Sequence, residues 1–228
     1  MNGLTGSTLL AVDASTSEQW LIIASGLGFL ALLAVAAFVA LVRPTGTYPS
    51  PFSEPAQIER FFSANRPQVQ ALAVVQTLAS GSFLAFTASS TALLLQTAGT
   101  RTPFFWVALA AGAVAGSFVL LTALFVWTLS RPAIEESPPL LRALHDLAYI
   151  AGGPAHVFAV ALYLGASSLA ILSTSILPDW VAWLGLTGTV VSAPVALTMI
   201  WHPAAWILPI TRILLASWIL SICYQVAI

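Results

Sequence analysis

Six long apolar segments follow one another along the chain, each close to or above the roughly 20 residues that cross the hydrocarbon core of a bilayer. They cover approximately residues 20–42, 70–97, 103–129, 146–172, 180–200 and 204–227. No polar stretch between them is long enough to form a separate soluble domain. The pattern therefore predicts an all-α protein, in which residues 1–228 form a single integral membrane bundle of six transmembrane helices.

The connection between the first two segments contains a short amphipathic pattern. A helix over about residues 55–63 would place Ile58, Phe61 and Phe62 in the membrane interface, with Glu59 and Arg60 facing water. A plain solvated loop is the alternative at this position. At the start of the first segment, a serine and a glutamate at positions 15 and 18 have the spacing of a capping box.

Composition agrees with a chain that is almost entirely embedded. Hydrophobic residues make up 59% of it and charged residues only 7%, whereas about a quarter of a soluble protein is charged. The net charge is −1 and there is no basic tail, so nucleic acid is not a predicted partner. All seven basic residues are arginine, which excludes chemistry that needs a lysine amine. The single cysteine, Cys223, cannot form an internal disulfide.

The distribution of arginine predicts the orientation. The first and third connections carry five of the arginines between them, namely Arg43, Arg60, Arg66, Arg131 and Arg142. The second connection has Arg101 alone, and the fourth has none. By the positive-inside rule, the first and third connections are cytoplasmic and both termini lie outside. The heavy use of Ala, Arg and Gly, whose codons are rich in G and C, favours a bacterial plasma membrane. The first 19 residues carry Asp13 and Glu18 in place of a basic start, so we do not interpret them as a signal peptide.

Small and polar residues within the spans predict internal contacts. Gly112 and Gly116 form a G-x-x-x-G pair that lets two helix backbones approach closely, and we favour a partner in the same bundle over a dimer interface. The second span is rich in hydroxyl groups, which can bond to carbonyls of their own helix. Gln76 cannot do so as easily, and we expect it to face the bundle interior or a wet cavity.

The fourth span carries the least expected residues for a membrane helix. His145 and His156 are eleven residues apart, close to three helical turns, so they share a face. At 1.5 Å per residue, His156 lies about 15 Å deep, near the bilayer midplane. Between them, Pro154 cannot donate a backbone hydrogen bond, which leaves the carbonyl of Ile150 free. A broken helix beside a midplane histidine predicts a small polar cavity in the cytoplasmic half of the bundle.

Arg212, in the sixth span, is expected to find an anion or a carbonyl, because exposure to lipid would cost a few kcal/mol. Asp146 is the acid closest to it in depth, so the sequence predicts an Asp146–Arg212 pair at the mouth of the cavity. Tyr149 and Tyr224 are further candidates around the cavity.

Each of these residues also has a structural interpretation. Asp146 would cap its helix, since a carboxylate at a helix N-terminus is stabilised by the dipole. His145 and His202 would be interfacial residues without a ligand role, and Arg212 a hydrogen-bonding hub. Glu135 and Glu136 would lie in a solvated turn.

Two stretches resemble uncharacterised multi-pass membrane proteins of the actinobacterial type. They are LHDLAYIAGGPAHVFAVALYLGASSLAIL and LPDWVAWLGLTGTVVSA, within residues 140–228. The resembling features are a polar-Asp-Leu start to one helix and a Leu-Pro-aromatic-Trp-Leu-Gly start to the next. This chain has Asp179 where a basic residue is frequent. The resemblance implies a fold type and a lineage, and it implies no activity, so no catalytic residue is carried over.

Several functional classes remain open. The sequence favours a ligand-binding or accessory membrane subunit, whose pocket is lined by Gln76, Tyr149, His156 and Arg212. One alternative is a membrane-embedded enzyme that acts on a lipid or isoprenoid by acid–base chemistry, with Asp146 and His156 as catalytic candidates. Another is a small-molecule transporter or channel, although no internal repeat is evident.

Cofactors and partners follow from the same residues. Haem needs two axial histidines that face each other, and only His156 lies in the interior, so no cofactor is predicted. No acidic metal-binding motif is present, so no metal site is predicted. The expected partners are the lipid bilayer, a lipid or small apolar ligand, and further copies or subunits in a membrane complex.

Overall fold

The computed structural model describes residues 16–42, 44–98, 103–135 and 137–228. Six of its helical segments are long and apolar enough to cross a membrane, which confirms the predicted all-α bundle of six spans. The chain is therefore a multi-pass protein in contact with a lipid bilayer. Asp13, Ser15, Arg43, Arg101 and Glu136 lie outside the described residues.

Nine α-helices and three shorter helical turns make up the described part of the chain. In order these are α1 (Thr16–Leu41), α2 (Pro55–Ala64), α3 (Arg66–Ala98), α4 (Phe104–Leu129), α5 (Pro132–Glu135), α6 (Pro138–Ile150), a π-helical segment (Ala151–Ala155), α7 (His156–Thr174), α8 (Asp179–Ser192), a 3₁₀ segment (Ala193–Met199), a second 3₁₀ turn (His202–Trp206) and α9 (Ile207–Ala227).

The fourth span begins eight residues earlier than its apolar pattern indicates. Pro138 and Pro139 occupy the first positions of α6, where the fixed backbone angle of proline suits a helix and its missing N–H is not needed. Asp146 is therefore inside α6 and does not cap it, which corrects one interpretation of this residue. In the fifth span, the α-helix ends at Ser192 because Pro194 interrupts the hydrogen-bond ladder, and the chain continues as 3₁₀ helix.

The centre of the bundle is built around α7, most of whose residues are buried. The ring of Tyr163 packs edge-on against Phe83 and Trp218, and its hydroxyl lies 3.0 Å from Ser90 Oγ. Because the hydroxyl is bonded, this buried tyrosine carries no desolvation cost for an unpaired polar group.

The G-x-x-x-G pair packs within the chain, as favoured from the sequence. A Cβ at Gly112 would lie 2.7 Å from Thr87 Cβ, and one at Gly116 would lie 2.6 Å from Leu84 Cδ2. Both neighbours are on α3, and Ser80 Oγ donates to the Gly116 carbonyl oxygen at 2.9 Å. The small residues therefore let α4 approach α3 closely.

The amphipathic helix in the first connection is present as α2, but its apolar face does not lie against lipid. Ile58, Phe61 and Phe62 are buried together with Val69, Leu129 and Leu141 from the long helices. Glu59 and Arg60 are exposed, as predicted. The apolar face thus covers one end of the bundle, which we call the α2 end. The side chains of three spans pack against it more closely than the membrane interface could.

Candidate functional site: an intrabundle cavity

A cavity of about 730 Å³ lies in the half of the bundle nearer the α2 end. Its walls come from α1, α3, α4, α6, the π-helical segment, the start of α7, the second 3₁₀ turn and α9, and residues 48–51 of the first connection lie across it. Volumes of about 300–1,000 Å³ are typical of pockets that hold one small molecule. The cavity brings together the four residues that the sequence singled out for ligand binding: Gln76, Tyr149, His156 and Arg212.

The broken helix supplies a backbone carbonyl to this cavity. In the π-helical segment, the backbone N–H of His156 bonds to the carbonyls of Ala151 and Gly153 and passes over that of Gly152. Gly153 departs from helical geometry, with φ −101° and ψ −105°. The carbonyl of Gly152 is therefore left for a side chain, whereas the sequence had pointed to the carbonyl of Ile150. A wider helical turn of this kind is common at functional sites.

Arg212 takes up the freed carbonyl. Its Nη2 donates a hydrogen bond of 2.8 Å to the Gly152 oxygen. The predicted Asp146–Arg212 pair is wrong, because Asp146 is paired with Arg142, one turn earlier on α6, at 3.1 Å. Among the described residues, no carboxylate lies within ion-pair distance of Arg212.

His156 is hydrogen-bonded to the backbone of α4. Its Nδ1 lies 3.0 Å from the carbonyl oxygen of Ala115, and since a carbonyl only accepts, Nδ1 carries the proton. The ring is 5% exposed and packs against Phe83. Within the described part of the chain Nε2 has no hydrogen-bond partner, so it is free to contact a molecule in the cavity.

The cavity also has polar side-chain atoms that are buried and have no hydrogen-bond partner in the described part of the chain. They include Oε1 of Gln76 and the hydroxyl of Tyr149. An unpaired buried polar atom costs about 1–3 kcal/mol, so native proteins rarely leave one unsatisfied. These atoms, His156 Nε2 and the remaining N–H groups of Arg212 form a polar wall that can hydrogen-bond a ligand.

A short segment closes the α2 end of the cavity. We call residues 48–53 the strap. Arg142 holds it by donating from Nη1 to the carbonyl of Ser53 at 2.9 Å and from Nη2 to the carbonyl of Pro51. His145 Nε2 lies 3.3 Å from the carbonyl of Pro49. Asp146 acts on this cluster by pairing with Arg142, and it does not line the cavity.

The sequence analysis did not predict the strap or Arg142 as the residue that anchors it. The signal for Arg142 was its position four residues before Asp146, which is the spacing of a helical ion pair. The signal could be used only if α6 was known to begin at Pro138, so that both residues were helical. The partner carbonyls lie 89 and 91 residues away, and no local pattern indicates them.

Other candidates lie elsewhere. His145 is not interfacial: it is 1% exposed and lies in the cavity wall. Tyr224 is 60% exposed, near the C-terminal end of α9, and is not at the cavity. The side chains of His202 and Glu135 lie outside the described part of the structure.

The cavity wall includes exposed side chains on α1 and on α9. The two helices meet near Cys223, whose thiol lies 3.9 Å from the carbonyl of Ile22. Toward the α2 end, Leu41 of α1 and Ile213 of α9 both line the cavity, yet they are 78% and 65% exposed. These two side chains therefore belong both to the cavity wall and to the exposed surface of the bundle.

Comparison with protein-family models, with curated proteins and with solved structures gives no match to this chain.

Proposed function

We propose that the protein binds an apolar or amphiphilic molecule that enters the cavity from the bilayer. The observation that carries this proposal is a cavity with one apolar wall, formed by α1, and one polar wall, lined by exposed side chains on α1 and α9. We place the opening toward the bilayer at these side chains. Apolar surface provides affinity in such pockets, and a few fixed polar groups provide orientation.

Binding is favoured over acid–base catalysis by the position of Asp146. The enzyme alternative relied on a well-placed carboxylic acid in the cavity, and Asp146 was the candidate for that role. Its carboxylate is instead paired with Arg142, outside the cavity wall. Transport is disfavoured by the strap, which Arg142 and His145 hold across one end of the cavity.

The experiment compares two tryptophan variants of α1. Ala37 and Ala34 are both exposed, but only Ala37 lines the cavity. Ala37→Trp would fill the opening, and Ala34→Trp would place the same bulk on lipid-facing surface. Native mass spectrometry of protein extracted gently from its membrane is expected to show a retained small molecule in the wild type and in Ala34→Trp, and its loss in Ala37→Trp.

A wild-type protein that retains nothing, or a molecule retained equally by both variants, would overturn the proposal. Added mass that matches a second protein, with an empty cavity, would instead support an accessory subunit.

We also infer that the α2 end faces the cytoplasm of a bacterial cell, with both termini outside. The support is that Arg60, Arg66, Arg131 and Arg142 all belong to segments at this end. A cysteine introduced at exposed Gln57, with Cys223→Ser as background, should react with a membrane-impermeant maleimide only after the cells are opened. Labelling of intact cells would reverse the orientation.

A further inference from the structure

The charge of Arg212 is not balanced by the described part of the protein. The guanidinium has five N–H donors, and Gly152 accepts from one nitrogen only. Arg212 is half-buried in the cavity wall, and a charge that is largely removed from water is normally paired, because an isolated ion there is costly. Asp146, the acid that the sequence places closest to Arg212 in membrane depth, is already paired with Arg142.

The groups around Arg212 suit an anion. Tyr149 and His156 line the same cavity as Arg212. The hydroxyl of Tyr149 is buried and unpartnered, so it can donate to an oxygen atom bound by Arg212. Guanidinium binds carboxylate and phosphate with two parallel hydrogen bonds, which makes an oxyanion its preferred partner.

The wall formed by α1 suits a hydrocarbon chain. Lining residues on α1 extend from Phe29 to Leu41, which corresponds to about 18 Å at 1.5 Å per residue. One leaflet contributes about half of the ~30 Å hydrocarbon core, so this wall has the length of a single acyl chain. Its side chains are the apolar groups of Phe29, Leu33, Ala36, Ala37, Ala40 and Leu41.

We propose that the cavity binds a single-chain amphiphile with an anionic head, whose oxyanion pairs with Arg212 and whose chain lies along α1. This inference rests on the proposed function and deepens it. It identifies the ligand class by its two ends: a carboxylate or phosphate group, and one lipid-length chain. A free small anion would satisfy Arg212 but would leave the apolar wall unused.

The test uses purified full-length protein in a neutral detergent, with tritiated palmitate and tritiated hexadecanol as probes in a scintillation-proximity assay. Both probes have sixteen carbons and differ in the charge of the head. Palmitate is expected to bind about tenfold or more tightly, since hydrogen bonds to charged groups contribute about 1.5–3 kcal/mol. Sodium acetate and sodium phosphate, which lack the chain, should not displace palmitate at equal concentration.

Two variants assign the preference to a residue. Arg212→Gln should bind palmitate and hexadecanol equally. Arg131→Gln removes a charge of the same kind from an exposed side chain that packs over Trp127, and it should keep the preference. If Arg212→Gln does not fold, Arg212→Lys is the second variant; because it keeps the charge without the planar fork, its preference should be reduced but present.

The outcomes separate this inference from the proposed function. Equal binding of palmitate and hexadecanol to the wild type, or an unchanged preference in the Arg212 variants, would overturn the anionic head. Displacement by acetate or phosphate at equal concentration would show that the hydrocarbon chain is not required and that the ligand is a free anion. If palmitate does not bind while native mass spectrometry shows a molecule lost only in Ala37→Trp, this inference fails and the proposed function stands.

Discussion

Arg212 and Gly152 are sixty residues apart in the chain, and the Nη2 atom of the arginine donates a hydrogen bond of 2.8 Å to the carbonyl oxygen of the glycine. The bond joins the start of the sixth span to the break in the fourth. The backbone N–H of His156 bonds to Ala151 and Gly153 and passes over the carbonyl of Gly152, which accepts from the arginine. The same arginine therefore supports the broken helix and presents charge to the cavity.

Removing the donor at position 212 should destabilise the break. Arg212→Met leaves the Gly152 carbonyl without a partner and is expected to lower the free energy of unfolding by about 1–3 kcal/mol. Arg212→Lys keeps an N–H donor of similar reach and should lose less than about 1 kcal/mol, since the bond can form again. Thermal unfolding of both variants in the same detergent measures the difference. Equal loss would show that the shape and packing of the guanidinium, which both variants lose, matter rather than this bond.

The anchoring of the strap can be tested by hydrogen exchange. Arg142→Ala removes the donors to Pro51 and Ser53 and should raise amide exchange over residues 50–53 by about tenfold, given the strength of bonds from a charged donor. Asp146→Asn should have a smaller effect, because a partly exposed ion pair contributes only about 0–1 kcal/mol.

The control for this experiment is Arg60→Ala, since Arg60 Nε donates only within its own helix, to Ala56 at 2.9 Å. Its exchange over residues 50–53 should match the wild type. Unchanged exchange in Arg142→Ala would mean that the strap is held by the packing of Tyr48 against Phe61 and Phe62.

The close contact of α3 and α4 predicts opposite effects for two glycine substitutions. Gly112→Ala would bring a Cβ to 2.7 Å from Thr87 Cβ, and overpacking of this kind costs about 1–3 kcal/mol. A Cβ at Gly81 would meet no side chain or neighbouring helix within 4 Å among the described residues, so Gly81→Ala should stabilise the helix by up to about 1 kcal/mol. Melting temperatures in one detergent should therefore fall for the first variant and rise for the second. A stable Gly112→Ala would show that the helices can separate without cost.

Because Tyr48 is half-buried in the folded protein, we expect the protein to lose stability at high pH. Burial raises the pKa of Tyr48 from 10.0 to about 12 in the folded protein. Between these values the unfolded chain has lost a proton that the folded protein keeps, so the free energy of unfolding falls as the pH rises. Tyr48→Phe should show a shallower fall from pH 10 to 12 than the wild type in denaturation measurements. Identical slopes would mean that Tyr48 is solvated.

Properties that depend on the chain alone were predicted correctly. The six spans follow from segment length against bilayer thickness, and α2 follows from the helical spacing of Ile58, Phe61 and Phe62. The break near Pro154 follows from the missing N–H of proline. The need of Arg212 for a carbonyl or an anion follows from the cost of a lipid-exposed charge. Each of these depends on segment length, on residue spacing or on the chemistry of one residue.

Only the tertiary structure decided which groups meet. Asp146 pairs with Arg142 because α6 begins at Pro138 and places both on one helical face. Arg212 meets Gly152, and the apolar face of α2 covers the bundle end instead of lying in the interface. The sequence states what each polar group requires, namely a partner in a medium that offers little water. The identity of that partner depends on distances between helices, and those are set by packing across the whole bundle.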